Sequence, residues 1–229
     1  MSLTDTTPSI TTSSDDHILN DSDGDPIFIY SELEYIPTGY TSNAAPFIES
    51  PIAVNRAAID LFDFDLYCNA HNTNTINLVD LGCGDGIALC NMIQYCKQIK
   101  YCNNVTINGI GIDYSEQLLH QAEQNTKQYN LHGSITYIQY NFNYNSYNIL
   151  QELLQYNTTH VYIYLVPKQL NLSSIKYLLL QLIQYNIYII CYHFQPTYLP
   201  LIQSNNTMNL CIYGKQGTIS ESTAIIAQG

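Results

Sequence analysis

Asp80 lies in an apolar run, Leu78-Val79-Asp80-Leu81, and a turn with glycine at three alternate positions follows at once: Gly82-Cys83-Gly84-Asp85-Gly86. Ile87 to Ile93 then has the pattern of a helix. Glycine lets a backbone take positive φ and come close to a ligand. Strand, glycine turn and helix in this order therefore form a cradle for an adenosine-containing molecule. A second apolar segment, Ile107 to Ile112, ends in Asp113, where an acid can accept hydrogen bonds from both hydroxyls of a ribose. The dinucleotide fingerprint is G-x-G-x-x-G, whereas this turn is G-x-G-x-G. With Asp80 and Asp85 beside it, the turn suits a positively charged ligand without pyrophosphate. S-adenosylmethionine, with a sulfonium and an ammonium group, fits that description.

The elements that must hold these residues alternate along the chain. Apolar runs predict strands at 76–81, 106–112, 134–140, 160–166 and 187–192. Helical spacing predicts helices over 85–98, 115–129, 146–156 and 168–184. Ser115 is the N-cap of the second of these, with Leu118, Leu119 and Ala122 on one face. Met208 to Tyr213 and Thr223 to Ala227 fit a closing antiparallel hairpin. Alternating strands and helices imply a mostly parallel sheet covered on both faces, with ligands at the carboxyl ends of its strands. The glycine turn, Asp113, Asn141 and Pro167 all lie just past predicted strand ends. Ahead of the first strand, Ser50-Pro51 reads as an N-cap and a first-turn proline for a helix striped by Ile52, Val54, Ala57, Ala58, Leu61 and Phe62. Asn69 to Thr75 reads as a polar linker. Residues 1–26 read as an acidic, disordered tail and 27–229 as one domain.

Composition narrows the partners. Against 19 acidic residues stand 7 Lys and Arg, a net charge of −12, which repels a phosphate backbone and attracts a basic protein. Nucleic acid is therefore not expected as a partner. The seven cysteines include no C-x-x-C pair, and their spacing does not suggest a metal site. Reduced, buried thiols point to the cytoplasm. No apolar run is long enough to span a membrane, and residues 1–26 contain no Lys or Arg, so neither a signal peptide nor a transit peptide is expected.

Val79-Asp80-Leu81-Gly82-Cys83-Gly84-Asp85-Gly86 together with Gly111-Ile112-Asp113-Tyr114-Ser115 resembles the class I S-adenosylmethionine-dependent methyltransferases. Three more segments are Tyr35-Ile36-Pro37-Thr38, Val161 to Pro167 and Cys191-Tyr192-His193-Phe194-Gln195-Pro196. In their order and spacing they resemble the protein-lysine methyltransferase family that includes the enzyme acting on the mitochondrial ATP synthase c subunit. The resemblance implies a Rossmann-like α/β fold, with a seven-stranded, mostly parallel sheet, helices on both faces and a C-terminal antiparallel hairpin. It implies that Gly82, Gly84 and Gly86 wrap the methionine part of the cofactor and that Asp80 orients the turn. Asp113 would take the ribose, and Asn141 would meet the adenine amino group where the family usually has aspartate. Asp85, Tyr114, Phe142 and Thr38 complete the expected cofactor site. Tyr35, Pro37 and Thr38 would form a flap, and Tyr164, Leu165 and Pro167 the floor of an acceptor pocket.

The chemistry this implies is methyl transfer to a lysine side chain. Tyr35 and Tyr164 would line the acceptor pocket, and His193 would serve as a general base. No Asp/Asn-Pro-Pro-Tyr/Phe segment and no Pro-Cys nucleophile follows the fourth predicted strand, which argues against methylation of planar amide or base nitrogens and of cytosine C5. Two alternatives stay open: a methyltransferase for a small molecule or another acceptor, and a non-catalytic assembly module with this fold.

Overall fold

A computed structural model describes residues 19–20, 26–27, 48–99, 105–142 and 147–215. The chain divides into two units, Met1–Gly39 and Tyr40–Gly229. In the first, the described residues form a short antiparallel ladder of β1 (Leu19–Asn20) and β2 (Pro26–Ile27). The rest of the expected tail, and Tyr35, Pro37 and Thr38 of the expected flap, lie outside the described residues.

The second unit opens with α1 (Ile52–Phe62) and α2 (Phe64–His71). There follow β3 (Thr75–Leu81), α3 (Ile87–Gln98), β4 (Thr106–Asp113), α4 (Glu116–Gln128) and β5 (Ile135–Gln139). Next come α5 (Tyr147–Gln155), β6 (His160–Ile163), α6 (Pro167–Leu170), α7 (Ser173–Gln184) and β7 (Tyr188–Tyr192), and β8 (Leu201–Asn205) and β9 (Leu210–Tyr213) close the unit. The expected seven-stranded sheet is present, in the order β5-β4-β3-β6-β7-β9-β8. Its first five strands are parallel, and β9 pairs antiparallel with both β7 and β8. From β3 the chain steps outward to β4 and β5, then returns to the other side of β3 for β6 and β7. The order therefore reverses between β3 and β6, where a crevice opens at the carboxyl ends of the strands.

Alternation along the strands sorts the core into two layers. Val79, Leu81, Val161, Ile163 and Ile189 pack with the apolar faces of α5 and α7. Ile76, Leu78, Tyr162 and Ile190 pack with α1, α2 and α3. Asp80 lies between Val79 and Leu81 in β3 and is itself only 2% exposed.

Several local expectations give way to tertiary context. Pro51, not Ser50, is the N-cap of α1, and no side chain caps it. Asp63 has left-handed backbone, ends α1 and caps α2 by accepting from Leu66 N at 3.1 Å, so α2 reaches into the expected linker as far as His71. Strand β6 stops at Ile163 rather than 166, because its neighbour β3 turns away at Gly82 and leaves Tyr164 to Val166 without a ladder on that side. The helix predicted over 168–184 is broken at Asn171-Leu172 into α6 and α7. The hairpin partner of Leu210–Tyr213 is Leu201–Asn205, and Thr223 to Ala227 lies outside the described residues.

At the start of β6, His160 is fully buried among Phe62, Phe64, Tyr67 and Tyr188, with ring centroids 4.6 to 5.7 Å away. Its Nδ1 meets Thr159 Oγ1 at 2.9 Å, while Nε2 is buried with no hydrogen-bond partner. Burial lowers this imidazole from 6.5 to about 3. A base depressed in the folded state contributes stability that is present above about pH 6.5 and lost as pH falls toward about 3. Acid titration monitored by urea unfolding should show the wild type losing roughly 1.4 kcal/mol per pH unit more than His160→Phe below pH 6.5. Parallel curves for the two proteins would refute this.

Candidate functional site

The site is built on the turn after β3. Gly82 N and Cys83 N both donate to Ile112 O, at 2.8 and 3.0 Å, which ties the turn to the end of β4. Gly86 N donates to Cys83 O at 2.9 Å, and α3 starts immediately afterwards. Gly82, Gly84 and Gly86 have φ of 86°, 52° and 74°, a left-handed conformation at all three alternate positions. Gly86 is constrained by space as well: a Cβ there would collide with the Tyr137 hydroxyl and lie 2.9 Å from Ala122 Cβ.

Three carboxyl groups surround this turn. Asp80 is pushed up to about 8, by burial first and then by Asp113 and Asp85. Asp113 is 7% exposed; its Oδ2 accepts from Gly84 N at 3.0 Å and its Oδ1 from Ser115 N at 2.9 Å. Burial raises its pKa against the pull of those bonds. The Tyr114 amide is a third donor to this carboxylate, which keeps acceptor capacity for one more. Asp85 is raised by burial, and its Oδ1 accepts from Ile87 N at 3.1 Å. Ser115 caps α4 as the sequence predicts, accepting from Leu118 N at 3.3 Å.

A solvent-open pocket of about 370 Å³ lies at the sheet's reversal point. Asp80, Gly82, Cys83, Asp85, Ile87 and Ala88 line one side, Ile48, Glu49 and Ser50 another, and Tyr162 and Tyr164 a third. Tyr162 is fully buried, stands opposite Asp80 in the ladder, and its hydroxyl is 2.9 Å from Ser50 Oγ. Tyr164 is half-buried beside Tyr192, 4.6 Å between centroids, and Phe194, 6.4 Å. The pocket thus offers carboxylates and an aromatic wall, a combination suited to cations.

The structure brings Asp80, Gly82, Asp85 and Tyr164 to this one pocket, with Gly84 and Asp113 bonded to each other beside it. Tyr114 is half-buried next to Asp113, and its carbonyl accepts from Gln139 Nε2 at 3.2 Å. Asn141 lies just past β5, whose end is tied to Asp113 by Tyr140 N donating to Asp113 O at 2.8 Å. Phe142 is buried in the α5 and α7 layer against Tyr140, and its carbonyl accepts from the Ser174 hydroxyl. His193 is not on the wall of this pocket. It has a φ of 64°, its N–H donates to Asn209 O at 2.8 Å, and its ring lies against Phe194 and Tyr192. Burial lowers its pKa. The lining residues that sequence reasoning missed are Cys83, Ile87 and Ala88, next to the expected ones, and Ile48, Glu49, Ser50 and Tyr162. Tyr162 had a signal, because residues two apart on a strand share a face and Tyr164 was already chosen. Ser50 had none, since its partner is 112 residues away.

No protein-family model matches the chain, and no curated protein matches it in sequence. Solved structures do. The METTL16 methyltransferase domain superposes with a TM-score of 0.50 at 10% identity, over 73% of this chain and 70% of that one. This is the class I methyltransferase fold. The human methyltransferase 10 domain containing protein gives 0.49 at 8% identity, over 73% of this chain and 85% of that one. An RNA methyltransferase from Salinibacter ruber, solved with S-adenosyl-L-homocysteine, gives 0.48 at 18% identity, over 72% and 91%.

The raised Asp80 carboxyl has a measurable sign. An acid raised in the folded state contributes stability that is complete below about pH 3.8 and lost as pH rises through about 8. Asp80→Asn removes that loss. In differential scanning calorimetry of the ligand-free chain, Asp80→Asn should melt at least about 4 °C above the wild type at pH 8.5. The gain should shrink as pH falls and vanish near pH 3.8. A gain independent of pH would disprove the assignment.

Proposed function

We propose that this chain is an S-adenosylmethionine-dependent methyltransferase whose acceptor is the side-chain amine of a protein lysine. One observation carries the reading: buried Asp80 and its neighbour Asp85 line a pocket at the reversal point of a class I methyltransferase sheet, with no basic group among the described residues that line it. Such a pocket repels pyrophosphate and favours a sulfonium and an ammonium. Gly82, Gly84 and Gly86 would hold the methionine part, with Asp80 and Asp85 facing its ammonium. Asp113 would take the ribose through the acceptor capacity its carboxylate keeps. Asn141 would accept from the adenine amino group, with Tyr114 and Phe142 flanking it and Thr38 on the flap. When bound, the cofactor supplies an electrophilic methyl group.

What supports a lysine acceptor is Tyr164, which lines the pocket past the end of β6 and is backed by the rings of Tyr192 and Phe194. An aromatic face holds an incoming ammonium, and loss of water there lowers its pKa toward the neutral amine that can attack. The wall's role is alignment, the main contribution a protein makes to an in-line displacement. Tyr164 is the acceptor residue of this reading among the described residues, and His193 supports the aromatic group. The net charge of −12 favours a basic protein over nucleic acid. Among the described residues no helix is long and apolar enough to cross a membrane. Cys68, Cys83, Cys90, Cys96, Cys191 and Cys211 are buried free thiols, in keeping with a cytoplasmic setting.

Calorimetric titration with S-adenosylmethionine should give micromolar binding that Asp113→Ala abolishes. Affinity should weaken as pH falls below about 8, approaching tenfold per unit, because Asp80 must then lose a proton to meet the cation. Absence of binding by the wild type would move the chain to the assembly-module reading. With labelled methyl donor and basic protein fractions, Tyr164→Ala should lower transfer at least tenfold and Tyr164→Phe much less. Turnover on small molecules alone would replace the lysine acceptor.

A further inference from the structure

Behind the glycine turn, on the side away from the pocket lining, three side chains of α4 and β5 converge on Asp85 and Gly86. Asn125 Nδ2 donates to the Asp85 carbonyl at 2.9 Å, linking residues 40 apart. The Tyr137 hydroxyl is 2.8 Å from Thr126 Oγ1, which donates to Ala122 O at 2.9 Å. Thr126 has one hydroxyl hydrogen and spends it on that carbonyl, so the Tyr137 hydroxyl is the donor to Thr126. The Tyr137 phenol is pushed far up by burial and keeps its proton.

This hydroxyl occupies the space a Cβ at Gly86 would need, and the Tyr137 ring lies 2.5 Å from where a Cβ at Gly111 would stand. Tyr137 is also the ladder partner of Gly111. One ring thus fills the gap left by two glycines, one in the turn and one in β4. Asp85 lines the pocket, its Oδ1 accepting from Ile87 N, while Asn125 holds its backbone carbonyl.

We infer that Asn125 and Tyr137 are positioning residues that set the Asp85 carboxylate for the amino-acid end of the ligand. This rests on the cofactor reading above. Neither residue lines the pocket. Positioning through Asp85 acts on that end of the ligand, whereas general support of the turn would also reach Asp113 through Gly84, so a probe lacking the amino-acid end separates the two.

The experiment is calorimetric titration of the full chain, its Asn125→Ala and Tyr137→Phe variants, and Asp85→Asn. The two probes are S-adenosylhomocysteine and 5′-methylthioadenosine, both uncharged at sulfur, of which the second lacks the amino-acid portion. Tyr137→Phe keeps the ring and removes only the donor. Each positioning variant should weaken S-adenosylhomocysteine roughly tenfold and methylthioadenosine less than about twofold. On an Asp85→Asn background, Asn125→Ala should add nothing, the non-additivity expected of residues acting through one group. Equal weakening of both probes, or additive losses, would overturn the inference, as would variants that bind both probes like the wild type. A wild-type chain that binds neither probe would fail the cofactor reading itself and this inference with it.

Discussion

The feature on which the site depends is a buried carboxyl whose nearest charges are further carboxylates. Asp80 sits in β3, the middle one of the five parallel strands, 2% exposed, between ladder partners Gly111 and Tyr162. Ionising it there is costly, since burial, Asp113 and Asp85 all act in the same direction. A positively charged ligand reverses that balance, so binding and proton loss are coupled through this one residue. The crevice at the sheet's reversal point supplies the location; the three acids beside it supply the preference for a cation.

The glycine turn makes this arrangement possible. Its backbone leaves β3 in a left-handed conformation, anchors to Ile112 O, and enters α3 five residues after Gly82. Side chains at Gly86 or Gly111 would displace Tyr137, and through it the hydrogen-bonded hydroxyl of Thr126 in α4. The turn is thus shaped from the ligand side by its acids and from the protein side by one aromatic ring. Close packing makes the two requirements inseparable.

Strand β6 carries aromatic groups at both ends, with different consequences. At its start, His160 is sealed by four rings and remains neutral because water cannot reach it. Past its end, Tyr164 is half-buried on the pocket wall, its ring against those of Tyr192 and Phe194. Similar side chains therefore make a dry structural plug at one end and a surface able to meet a cation at the other. Solvent access, decided by which helices cover each end, separates the two.

The order of strands and helices, the glycine turn and the acids at Asp80, Asp85 and Asp113 were legible in the residues alone. Hydrophobic periodicity and glycine spacing are local properties, and the parallel sheet follows from their alternation. Ser115 was legible as a cap for the same reason, since its partner Leu118 is three residues away. What the chain could not disclose locally was decided by contacts between distant segments. Ser50 looked like a helix cap and instead meets Tyr162 across 112 residues. Strand β6 ended early because β3 turned away from it, and the partner of the last strand proved to be Leu201–Asn205. The raised Asp80 carboxyl and the Tyr137 brace exist only once β3, β4, β5 and α4 are packed together, because burial and steric exclusion are properties of the assembled core rather than of any stretch of sequence.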